Sequence, residues 1–233
     1  GPEGVYFTVA AMGLMALIIT TSLPRIPGKS KSSRMPILGE IKAGVVYVRS
    51  HSVLRTLLLA SLAIAMISGP LMALMPALVV DVYRRESAAF GLLISVAGVG
   101  SLVGALTIAY LGTWRRGLLY LSCGFAFAAT MLAISVSQWF FMSMALMLLF
   151  GLGTGAQWSL NQSLAMSNTD DVYRGRVMSI FMMVYGLTPL GTLPAGVAAD
   201  IIGTKATIGI LGSVLLVIAS ALLITQKGFR QLH

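Results

Sequence analysis

The sequence predicts an all-α polytopic membrane protein, a transmembrane helical bundle of about seven spans. Three observations predict it. Hydrophobic residues make up 57% of the chain and charged residues only 10%. A soluble domain carries about 25% charged residues, so this chain has too few for a surface that faces water. The charges that exist are clustered, and the stretches between clusters are long, apolar and free of Asp, Glu, Lys and Arg. Each is long enough for the roughly 20 residues that a helix needs to cross a bilayer.

The spans follow in order. The charge-free stretches place them at 5–23, 57–80, 90–111, 118–136, 140–164, 177–199 and 206–225. The stretch from Arg116 to Asp170 holds two of them, separated near Ser135–Gln138. Helix is the required conformation, because in lipid every backbone N–H and C=O must be paired within its own segment. The runs are also too long and too uniform for barrel strands of alternating polarity.

The net charge of +9 would point to nucleic acid in a soluble protein. Here the distribution points to topology. Arg25, Lys29, Lys31, Arg34, Lys42, Arg49, Arg55, Arg115, Arg116, Arg174, Arg176, Lys227 and Arg230 fall on one side, and only Arg84, Arg85 and Lys205 on the other. By the positive-inside rule the first side is cytoplasmic. The C-terminus then lies in the cytoplasm. The chain begins at Gly1 and enters a span almost at once, which reads as a piece of a longer chain with earlier spans. Cys123 is the single cysteine, so no disulfide framework or metal-site spacing is present.

Three domains are expected: 1–23 as the last span of an N-terminal half, 24–55 as a basic cytoplasmic linker, and 56–233 as a six-span domain. Within the linker, residues 24–36 are rich in Pro, Ser, Lys and Arg. Residues 37–48 read as a helix with Ile37, Ile41, Val45 and Val48 on one face, resting on the membrane surface with that face down. The third and sixth spans are both Gly-rich, which agrees with a three-plus-three inverted repeat.

Three stretches resemble the C-terminal half of the major facilitator superfamily, in the bacterial branch that includes enterobactin exporters and macrolide efflux pumps. They are IKAGVVYVRSHSVLRTLLL at Ile41–Leu59, DDVYRGRVMSIF at Asp170–Phe181 and GLTPLGTLPAGVAADIIG at Gly186–Gly203. The likeness implies a bacterial cytoplasmic membrane and an alternating-access transporter, with the second and fifth spans lining a central cavity. One departure stands out. Where that superfamily often shows a Gly-x-x-x-Asp-Arg-x-Gly-Arg-like loop, this chain has GTWRRGLLY at Gly112–Tyr120, with Arg115 and Arg116 but no Asp.

No carboxylate lies inside a predicted span, so a proton relay of the usual intramembrane kind would have to come from the other half. No nucleophile–base pair, metal cluster or phosphate loop is present, and neither an enzyme nor a cofactor is expected. The run GLGTG at Gly151–Gly155 lacks the Lys of a phosphate cradle and reads as close helix packing. In the fifth span Thr154, Gln157 and Asn161 share one helix face. Amides are costly in hydrocarbon, so this face is expected to meet a watery cavity or to bond other helices. In the second span Met66 and Met72 accompany Gly69, Pro70, Met75 and Pro76, giving a kinked helix with an adaptable apolar wall. Met66 and Met72 join Thr154, Gln157 and Asn161 as the five candidates for lining the substrate cavity. Arg115, Arg116, Asp170, Asp171, Arg174 and Arg176 are the candidate gate residues at the cytoplasmic mouth, where Asp170 and Asp171 lie close to Arg174 and Arg176 as a charge latch or a plain solvated loop.

The expected activity is export of amphipathic small molecules, drug-like or siderophore-like, with the lipid bilayer and a small-molecule substrate as partners, protons as a candidate coupling ion, and no nucleic acid. The rival readings are uptake of a polar metabolite, and a membrane sensor or scaffold without transport.

Overall fold

A computed structural model describes residues 2–22, 37–112 and 115–225. The first part of the expected linker, Trp114 of the 112–120 loop, and the C-terminal Lys227 and Arg230 lie outside the described residues. Among the described residues the chain is helical and without strands. Helix α1 is Pro2–Ser22 and belongs to a first compact unit. A second compact unit begins at Ile37. It contains α2 (Ile37–Ser50), α3 (Ser52–Ala77), α4 (Ser87–Leu111), α5 (Arg116–Val136), α6 (Phe140–Ser167), α7 (Arg174–Gly186), α8 (Thr188–Ile202) and α9 (Thr204–Thr225). Among the described residues six stretches are long and apolar enough to cross a membrane: 52–82, 88–111, 116–136, 140–167, 174–202 and 204–224. A seventh apolar stretch, Tyr6–Ser22, is shorter.

The core sits where α3, α5 and α6 meet. Leu57, Leu71, Met75, Phe127, Met131, Met147 and Leu160 are fully enclosed there. Outward positions on α4 and α8, such as Val99, Leu102, Leu106, Leu190 and Val197, are large, apolar and exposed, as a lipid-facing surface requires.

Glycines decide which helices come closest. On α4 and α6 a side chain at Gly100 would overlap the Leu148 carbonyl, at Gly104 the Leu152 carbonyl, at Gly151 the Ala97 carbonyl and at Gly155 the Ser101 carbonyl. The two backbones therefore touch along four reciprocal positions, the small-residue packing that replaces the hydrophobic drive in lipid. The packing expected for Gly151–Gly155 is present, and its partner is α4.

Proline and glycine together shape the α3–α8 crossing. Pro70 cannot donate to the Met66 carbonyl. That carbonyl faces Gly191, where any side chain would overlap it. Gly69 likewise leaves room for the Thr188 methyl group. The expected sixth span is broken at Leu187 into α7 and α8. Pro189 withholds an N–H from the Tyr185 carbonyl, which accepts from the Thr188 hydroxyl at 2.7 Å and from a backbone N–H at the end of α7. Pro76 is followed by a π turn at Leu78–Val82, which carries α3 on past Asp81.

Helix α2 packs on α7 rather than lying free of the bundle. Gly44 is buried, and a Cβ there would sit 2.9 Å from Ile180 Cδ1 and 3.4 Å from the Arg176 carbonyl. Val48 is buried while Val45 is exposed. The face turned to the protein is thus centred on Gly44, Tyr47 and Val48. Apolar periodicity groups Val45 with Val48, because periodicity cannot see that a glycine marks the line of closest approach.

Candidate functional site

A cavity of about 400 Å³ opens between α3, α4, α6 and the α7–α8 break. Ser61, Ala65, Ser68 and Met72 line it from α3, and Ile94, Gly98 and Ser101 from α4. Helix α6 contributes Phe150, Thr154, Gln157 and Trp158, and Tyr185 and Thr188 close the far side. Among the described residues no charged side chain lines it. Trp158 and Tyr185 pack with ring centroids 4.8 Å apart, which gives the wall a broad aromatic surface. The Thr154 hydroxyl donates to the Phe150 carbonyl at 2.8 Å, so it faces the cavity as an acceptor.

The cavity is backed by a buried polar chain. Gln157 Nε2 donates to Tyr120 Oη at 3.1 Å, and Tyr120 Oη lies 2.9 Å from Ser61 Oγ. Ser61 Oγ donates to the Leu57 carbonyl at 2.7 Å and reaches Asn161 Oδ1 at 3.2 Å. Asn161 Nδ2 extends towards Tyr185 Oη at 3.5 Å, long for a hydrogen bond. Gln157 and Asn161 are each 5% exposed, and this chain meets the desolvation cost that lone buried amides would carry.

Of the five expected cavity residues, Met72, Thr154 and Gln157 line the cavity. Met66 does not, since it sits on the α8 side of α3 with its carbonyl at Gly191. Asn161 does not line it either. Its amide is turned one helical turn away, between Ser61 and Tyr185. Sequence reasoning missed Ser61, Tyr120, Trp158 and Tyr185. Tyr120 had a weak signal, a phenol four residues into a span, which on its own reads as an interfacial anchor.

At the basic end, the six expected gate residues fall into two groups. Arg115 immediately precedes α5 with φ 40°, and Arg116 Nε donates to the Gly112 carbonyl at 2.8 Å. The other four belong to the 170–176 loop, which is held mainly by α2. Tyr47 Oη donates to Asp170 Oδ2 at 3.0 Å and accepts from the Asp170 backbone N–H at 3.2 Å. The Tyr47 ring stacks on Tyr173 at 4.3 Å and on His51 at 4.1 Å. Arg176 lies 3.8 Å from Glu40. Asp171 pairs with Arg174 at 2.9 Å within its own turn, and both are largely in solvent. Tyr47 and Glu40, which are not among the expected gate residues, are therefore what ties this loop to another element.

At the opposite end, the Tyr83 hydroxyl bonds Ser143, which donates to Ser137 at 3.3 Å. Arg85 lies over the Phe140 ring at 5.8 Å. Among the described residues no group of His, Cys, Asp and Glu could hold a metal ion.

Comparison with known proteins matches this architecture. A family model described as transmembrane secretion effector covers residues 1–231. The Staphyloferrin A transporter of Staphylococcus aureus (strain NCTC 8325 / PS 47) is 28% identical over 205 residues, which are 85% of this chain and 49% of that protein. The crystal structure of a bacterial homolog to the human lysosomal transporter Spinster, inward-facing and unoccupied, matches with a TM-score of 0.51 at 15% identity. That match covers 93% of this chain and 55% of the other, and speaks to fold alone. The chain thus spans about half the length of these relatives. It is an integral membrane protein and belongs to the transmembrane secretion effector family of the major facilitator superfamily.

Proposed function

We propose that this chain supplies the second half of a secondary transporter that exports amphipathic small molecules by alternating access. The observation that carries this reading is the cavity of about 400 Å³ whose described lining is an apolar and aromatic wall with several hydroxyls, one amide and no charged residue. Such a wall accepts the uncharged body of a ligand and orients it with a few polar contacts. A polar metabolite would need more of its groups matched than this wall offers, which favours export of amphipathic cargo over uptake of a metabolite. The relative named for staphyloferrin A supports a small-molecule cargo. Proton coupling remains part of the reading, with the titrating acid in the half of the transporter that contributes the opposite cavity wall.

In this reading the basic end faces the cytoplasm, with the C-terminus on the same side, in the bacterial plasma membrane. Residues 24–55 then link the two halves. The Tyr47–Asp170–Tyr173 contacts hold α2 against the cytoplasmic mouth, so that movement of α7 in the access cycle carries α2 with it.

Inside-out vesicles containing the complete transporter provide the test. With an imposed proton gradient they are expected to accumulate staphyloferrin A or the amphipathic dye Hoechst 33342. Gln157→Ala is expected to raise the apparent KM while leaving membrane expression near normal. Absence of accumulation of both compounds, or uptake only by right-side-out vesicles, overturns the export reading.

A further inference from the structure

Tyr120 lies behind the cavity wall and does not line it, yet it controls which atom of Gln157 a ligand meets. The protons of the polar chain can be assigned one by one. The Leu57 carbonyl and Asn161 Oδ1 can only accept, so the single hydroxyl proton of Ser61 is committed to that side. Tyr120 must then donate to Ser61 across their 2.9 Å separation. With its proton spent there, Tyr120 can only accept from Gln157 at 3.1 Å. That orients the Gln157 amide with its NH2 towards Tyr120 and its oxygen away. Among the described residues Oε1 has no hydrogen-bond partner. None of their side-chain polar atoms is both sealed from solvent and unpartnered. Gln157 Oε1 therefore opens onto the cavity that Gln157 lines.

We infer that Tyr120 is a specificity-determining positioning residue: it fixes the Gln157 amide with its oxygen inward, so that the cavity selects ligands carrying a hydroxyl or N–H donor at that point. The inference rests on the reading of this cavity as the ligand site. Without the tyrosine hydroxyl, or without the serine that takes its proton, the amide is free to turn and the preference for a donor disappears.

The purified complete transporter in detergent allows a direct test, because Trp158 in the cavity wall can transfer excitation to a bound dansyl group. The probes are dansylamide, which carries N–H donors, and its N,N-dimethyl derivative, which carries none. The unmodified protein is expected to bind dansylamide about 3- to 10-fold more tightly, the range expected for one hydrogen bond. Tyr120→Phe is expected to bring the ratio close to one while leaving affinity for the dimethyl probe unchanged. Ser61→Ala, which frees the tyrosine proton to meet the amide oxygen, is expected to do the same and serves if the tyrosine variant does not fold. A purely structural role for Tyr120 would weaken both probes together. A preference for dansylamide that persists in Tyr120→Phe or Ser61→Ala overturns the inference. If the unmodified protein gives no Trp158-dependent transfer with either probe, the cavity is not a ligand site and the inference falls with that reading. If it binds both probes equally, the cavity stands and the positioning role falls.

Discussion

Alanine at Gly151 or Gly155 should loosen the tightest helix pair in the bundle. A methyl group at either position would overlap a backbone carbonyl of α4, that of Ala97 or Ser101. A carbonyl cannot turn aside as a side chain can, so the two helices must separate. Overpacking of this kind costs about 1–3 kcal/mol, and a backbone obstacle puts it at the upper end. Alanine also recovers about 1 kcal/mol of helix propensity over glycine. The net expectation is a loss of about 2 kcal/mol, or about 4–8 °C in melting temperature for a bundle of this size. Gly196 is the control, since a side chain there meets nothing within 4 Å. Gly196→Ala should be neutral or stabilising by up to about 1 kcal/mol. Thermal melts of the purified variants in one detergent provide the comparison. A Gly155→Ala protein that melts at or above the Gly196→Ala protein would refute the backbone-contact account of the seam.

Other expectations follow from single contacts. Thr188→Val should cost about 0.5–1 kcal/mol by removing the hydroxyl donor to the Tyr185 carbonyl, which then keeps only a backbone N–H at the end of α7. In a Pro189→Ala background, which restores the missing N–H, the same change should cost little, as melts of the four proteins would reveal. Gly44→Leu should push α2 off Ile180, lowering the yield of a disulfide engineered between the two helices and slowing transport. Charge reversal at Asp171 with compensation at Arg174 should show coupling below about 1 kcal/mol, because that pair is exposed and local. Tyr47→Phe, which releases Asp170, should change transport rate more than reversal at Asp171 does.

The spans were legible because lipid imposes a rule that a sequence cannot hide: charges retreat to the ends. Gaps between charged residues therefore located every spanning helix to within a few residues. The break in the sixth span was only half visible. Pro189 signals a lost hydrogen bond, but whether the helix kinks or divides depends on Thr188 supplying a donor locally. Gln157 was legible because an amide in a span needs a partner or water. Its partner was not legible, since Tyr120 is 37 positions away and meets it only after α5 and α6 pack. Asn161 shows the same limit from the other side. Its spacing from Gln157 puts both on one face, yet Ser61, 100 positions away, draws its amide off the cavity. For α2, apolar spacing showed a face but not whether lipid or protein covers it.

Thiol accessibility along α6 tests the central claim, that the face carrying Thr154 and Gln157 borders an open path. In a Cys123→Ser background, single cysteines at Thr154, Gln157 and Leu160 would be exposed to a small water-soluble thiol reagent. The cavity account predicts reaction at 154 and 157, slowed by bound dansylamide, and none at Leu160, which is fully enclosed. Cysteines at 154 and 157 as inert as that at 160 would contradict it.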